Sequence, residues 1–125
     1  MLEEQLILLE CTLHGERRYD RAWLEQILHP NFQEITRSGL IVNRSQTISS
    51  LLGEKNPPPI SSSDFRLTQL GEYSAILHYR SSYADGSHQA LRTSHWLLTE
   101  IQQWVLVFHQ GTPVAKDICR QALTR

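Results

Sequence analysis

Between Ser62 and Gln110 side-chain character alternates with period two, and the alternation breaks at only three places: Gly71-Glu72, Ala84-Asp85-Gly86-Ser87 and about Glu100 to Gln103. Successive side chains of an extended strand point to opposite faces, so this pattern predicts four antiparallel strands joined by short turns. Their expected spans are Asp64 to Leu70, Tyr73 to Tyr83, His88 to Thr99 and Gln103 to Gln110. The second and third exceed the usual strand length of about 5–6 residues, which a strongly bent sheet accommodates better than a flat one.

The first half of the chain has a different period. Leu2, Leu6, Leu9 and Leu13 recur at three- and four-residue spacing, with Glu3 and Glu4 where acidic groups favour a helix N-terminus; this predicts a helix ending about Gly15. A second helix is expected from Asp20 as N-cap, with Trp23, Leu24, Ile27 and Leu28 as its apolar stripe and Pro30 as its stop. Phe32 to Thr36 reads as a short strand, Ser38-Gly39 as a turn, and Leu40 to Val42 as further extended chain. Arg44 to Leu52 reads as a third helix capped by Asn43 or Ser45, followed by a stiff Asn56-Pro57-Pro58-Pro59 connector. Helices first and a long meander after them is an α+β layout: a cone-shaped curved antiparallel sheet of about four to six strands packed on three N-terminal helices.

At 125 residues, with 40% hydrophobic and 20% charged side chains, the chain is expected to be one globular domain spanning 1–125. Twelve basic against thirteen acidic residues supply no global field for nucleic acid or an anionic membrane. The opening MLEEQLILLE carries acid where a signal peptide needs positive charge and is too short to span a bilayer, so a cytoplasmic location is expected. Cys11 and Cys119 belong to no metal-spaced cluster and are read as free thiols. None of the six histidines forms an HExxH or comparable pair, so neither a metal nor another cofactor is called for. His14, His29 and His88 fall at helix ends or turns and are expected to face solvent, while Trp23, Trp96 and Trp104 are expected in the core.

Several strings, taken in this order, carry a family resemblance: Leu28-His29-Pro30-Asn31-Phe32, Ser38-Gly39, His78-Tyr79-Arg80, Arg92-Thr93-Ser94-His95-Trp96 and the closing Trp104 to Pro113. Together with the element order they resemble the nuclear transport factor 2-like superfamily. Within it they are similar to small bacterial domains related to SnoaL-like polyketide cyclases and to the association domain of calcium/calmodulin-dependent protein kinase II. The resemblance implies a conical domain with an internal pocket and homodimer packing through the outer sheet face. That fold hosts lyases, isomerases, cyclases and pure binding modules, so the function must be argued from the site. The catalytic Tyr, Asp and His patterns of ketosteroid isomerases and scytalone dehydratases are not recognisable.

Alternation sorts the later strands into two faces. On one reading the even-numbered residues line the cone: His78 and Arg80, then Arg92, Ser94 and Trp96, then Phe108 and Gln110, with Glu34 joining them if Phe32 packs inward. The odd-numbered Leu91, His95, Leu97, Val105, Val107 and His109 then form the dimer side, and a one-residue slip would exchange Gln110 for His109 opposite Arg92. Two guanidiniums, a carboxylate and aromatic walls suit a small polar or carboxylate-bearing ligand. Glu34 and His109 are the candidates for proton transfer; a neighbouring Arg would cancel the raised pKa that Glu34 needs. In the competing structural reading Glu34 simply neutralises Arg80 or Arg92. Ser94 lacks a GxSxG elbow and is read as a wall residue. A second class of function is a protein-interaction module, either an oligomerising adaptor or a toxin-neutralising immunity-type protein, working through exposed residues such as Arg17, Arg18, Asp85 and His88.

Overall fold

A computed structural model describes residues 1–115; Cys119 lies outside the described residues. Helix α1 runs Leu2–Cys11, a single 3-10 turn follows at Glu16–Tyr19, and α2 spans Arg21–Ile27 with the Asp20 side chain accepting from the Trp23 amide. Strand β1 (Leu28–Ile35) begins directly at the end of α2, before Pro30. Pro30 is tolerated there because the pairing of β1 with its neighbour is irregular between Leu28 and Gln33, where no ladder donor is required of it. Strand β2 (Ile41–Asn43) leads into α3 (Arg44–Leu52), whose N-terminus is closed by a reciprocal capping box between Asn43 and Gln46. Four longer strands complete the chain: β3 (Ile60–Gln69), β4 (Ser74–Tyr83), β5 (Ala90–Leu98) and β6 (Trp104–Pro113).

The six strands form one curved, unclosed sheet in the order β2-β1-β6-β5-β4-β3. β1 runs parallel to β6 and the other neighbours are antiparallel, so the sheet is mixed. Leu6, Leu24, Ile27 and Ile48 of the helices pack on Phe32, Leu77, Tyr79, Trp96 and Leu106 of the sheet. That single core shapes a cone whose inner wall is the concave sheet face.

Register decides which side chains enter the cone, and it corrects the even-odd division in two places. Arg92, Ser94 and Trp96 of β5 pair with Tyr79, Leu77 and Ala75 of β4, so the odd-numbered side of β4 faces inward. His78 and Arg80 therefore lie on the outer face, where Arg80 meets Asp64 at 3.6 Å and His78 meets Thr93 at 3.3 Å. On β6 the parity reverses partway along. Trp96 pairs with Leu106 and His95 with Phe108, leaving Val107 as the extra residue of a β-bulge. Beyond it Ser94 pairs with His109, so His109 turns inward while Phe108 and Gln110, opposite His95 and Thr93, turn outward. No helix among the described residues is long and apolar enough to cross a membrane.

Candidate functional site

Helix periodicity places Glu10 four residues beyond Leu6, on the stripe that faces the core, and the side chain is 1% exposed. A carboxylate so buried needs hydrogen-bond donors. It receives three: Tyr79 Oη at 2.7 Å and Ser94 Oγ at 2.8 Å donate to Oε2, and Trp96 Nε1 at 3.0 Å donates to Oε1. Desolvation raises the pKa of Glu10, and those three donors with the Arg92 charge oppose the rise.

With Glu10 ionised, the hydrogens of this network have one consistent direction. Tyr79 spends its hydroxyl hydrogen on Glu10, so at 3.0 Å it accepts from His14 Nε2–H, and His14 Nδ1 accepts from Ser62 Oγ, also at 3.0 Å. Ser94 likewise spends its hydrogen on Glu10, so at 2.7 Å it accepts from His109 Nδ1–H. Both imidazoles are neutral near pH 7. Burial, helped by the Arg18 and Arg92 charges, lowers His14 to about 4; burial, helped by Arg92 and His14, lowers His109 to about 3. The 3.7 Å approach of His109 Nδ1 to Glu10 Oε2 is thus no ion pair. The assigned tautomer leaves a lone pair on His109 Nε2.

Of these groups Glu10, His14, Tyr79 and His109 border a cavity of about 130 Å³ whose wall also includes Phe32, Glu34, Thr47, Arg92 and Leu106. Several hold unspent capacity. Thr47 Oγ1 is buried without a hydrogen-bond partner among the described residues. Arg92 donates from Nε to Ser81 Oγ at 2.9 Å. Glu34, beside His109 in the β1–β6 register, has its pKa raised by desolvation, which the Arg92 and Arg18 charges only partly offset. Among the described residues Glu34 forms no ion pair: Arg80 is on the other face and Arg92 bonds Ser81. The sequence expectation that a neighbouring Arg would cancel the rise is therefore corrected.

Of the residues expected to line the cone, Glu34, Arg92, Ser94 and Trp96 are brought together, joined by His109 from the set assigned outward. His78, Arg80, Phe108 and Gln110 are not. Glu10, His14, Arg18 and Tyr79 were missed. His14 is not a solvent-facing histidine, and Arg18, expected on an exposed loop, is 12% exposed and bonds Glu54 at 2.7 Å. Glu10 shares the helical spacing of Leu6, whereas His14 lies three residues past the end of α1. Among the described residues no group of three or more His, Cys, Asp or Glu is placed to hold a metal.

No protein-family model matches the chain, and no curated protein does. Solved structures do. A candidate ketosteroid isomerase from Parabacteroides distasonis superposes with a TM-score of 0.74 at 15% identity, covering 93% of this chain and 90% of that one. An NTF2-like protein from Cytophaga hutchinsonii gives 0.70 at 16% identity, covering 88% and 98%. A candidate calcium/calmodulin-dependent kinase II association domain from Exiguobacterium sibiricum gives 0.58 at 19% identity, covering 93% and 94%. At such identities the likeness establishes architecture and leaves chemistry to the site. The chain has the nuclear transport factor 2-like fold.

Proposed function

We propose that this domain binds a small polar metabolite bearing a carboxylate inside the cone, and that Glu34 exchanges a proton with it, as in a lyase or isomerase. The observation that carries the reading is the set of polar groups around one cavity whose capacity the described residues leave unspent: Thr47 Oγ1, Glu34 without an ion pair and the Arg92 guanidinium held through Nε. Arg92 is suited to a carboxylate, to which a guanidinium donates two parallel hydrogen bonds. Burial raises the pKa of Glu34, the direction that favours an acid-base role. The cavity of about 130 Å³ lies below the range of roughly 300–1,000 Å³ typical of drug-sized ligands, which favours a small ligand.

A panel of small carboxylates screened by thermal denaturation tests this. A binder at about a hundredfold its Kd raises the midpoint by on the order of 10 °C. Arg92→Gln removes the rise, whereas Arg80→Gln, on the outer face, keeps it. Absence of any shift across the panel would overturn the reading. For any substrate found, Glu34→Gln is expected to retain binding while turnover drops by a factor of about 100 or more.

We propose in addition that two copies pair through the outer sheet face, which presents Leu91 at 49% exposure with His95 and Phe108 half-buried beside it. Sedimentation should give a dimer that Leu91→Glu splits. A monomeric wild-type chain would refute it.

A further inference from the structure

Arg18, Ile60, Ser81 and Arg92 border both the inner cavity and an adjoining one of about 190 Å³, referred to as the mouth. The adjoining cavity adds Arg37, from the turn after β1, and Glu54, just past α3. Three guanidiniums therefore face one carboxylate. Glu54 Oε2 accepts from Arg18 Nη2 at 2.7 Å, which compensates a single cation. Among the described residues Arg18 Nε and Arg37 Nε are buried donors with no partner, and Glu54 Oε1 is a buried acceptor with none, so two unmatched donors stand against one unmatched acceptor. A buried charged donor without an acceptor is costly, and guanidiniums grouped around a cavity meet that need with the oxygens of a carboxylate.

We infer that the mouth is a second anion subsite, built by Arg18 and Arg37, and that the ligand is a small dicarboxylate. One carboxylate lies on Arg92 in the inner cavity and the other on the arginines of the mouth. The inference rests on the reading of the inner cavity as a carboxylate site. It deepens that reading by fixing the substrate class, since a monocarboxylate would leave the mouth donors empty.

The test compares straight-chain monocarboxylates with dicarboxylates of the same length, from three to six carbons, by isothermal titration. One diacid of the series should bind at least tenfold more tightly than its monoacid. In Arg37→Gln that advantage should shrink below threefold, and Arg37→Lys, which keeps the charge without the fork, should retain an intermediate part of it. Arg21→Gln, an exposed change on α2, should leave every affinity unchanged and controls for general charge. Equal binding of monoacids and diacids, with Arg92→Gln abolishing both, would overturn the second subsite and leave the inner site standing. An undiminished diacid preference in a folded Arg37→Gln would overturn it as well. Binding of neither series would instead fell the inner-cavity reading, and the dicarboxylate with it.

Discussion

Arg92 is held in the cone by what is missing opposite it. Gly111 is its register partner on β6, and a Cβ there would sit on Arg92 Nη1 and 2.8 Å from Cζ. The group that must give way is the end of a flexible side chain and not backbone, so Gly111→Ala should cost little stability, about 1 kcal/mol by urea denaturation. It should nonetheless abolish the carboxylate-dependent rise in melting temperature, because the guanidinium is displaced. A large stability loss with binding preserved would contradict this. Tyr79→Phe has the opposite profile: it strips Glu10 of one donor and His14 Nε2–H of its acceptor, both away from bulk water, and should cost about 1–3 kcal/mol. Residues such as Arg92 and Glu34 were legible in the sequence because charge stood out on an alternating strand. Glu10 and His14 were obscured because a single acid and a helix-end histidine ordinarily read as solvated. Strand residues remote in sequence, Ser62, Tyr79, Ser94 and Trp96, turn them into a network.

At the scale of elements, helices and turns followed from local chemistry and the strand faces did not. The Asn43-Gln46 capping box is a local signal, and it fixes the start of the helix that delivers Thr47 to the cavity. Asn43→Ala should therefore cost about 1 kcal/mol in chemical denaturation and weaken ligand binding in proportion to fraying of that first turn. No change in either would mean that tertiary packing alone holds α3. Strand faces depend on counting by twos, which one inserted residue defeats. Val107 is such a residue, and it exchanges Gln110 for His109 on the inner wall. β3 repeats the device: its register to β4 shifts between Ser63 and Arg66, where Asp64 adopts φ 60°, and Phe65 is returned to the core side. Nothing in the composition of either strand marks the extra residue. The inward face of β4, by contrast, was readable, since Ala75, Leu77 and Tyr79 form its more apolar side.

For the molecule as a whole, one core that buries both histidines and carboxylates must make stability depend on pH in two opposed ways. His14 at about 4 and His109 at about 3 bind fewer protons folded than unfolded, where a histidine titrates near 6.5. The unfolded state then holds the larger proton count, so stability rises with pH across that window and is lost as pH falls from about 6.5 toward 4. Glu10 and Glu34, raised above 4.5, act in reverse: the folded state holds the extra proton, and their contribution is lost as pH climbs through their folded values. The wild-type slope of unfolding free energy between pH 4.5 and 6.5 is the difference of the two effects, and variants separate them. His14→Gln and His109→Gln should each flatten the rise by up to one proton's worth, whereas Glu34→Gln should steepen it by removing the opposing carboxyl. An unchanged slope in the double histidine variant would mean that these imidazoles carry protons in the fold. In that case His14 Nδ1 would donate to Ser62 instead of accepting from it, the bonds through Tyr79 and Ser94 to Glu10 would keep their direction, and His109 Nε2 would carry a proton in place of its lone pair.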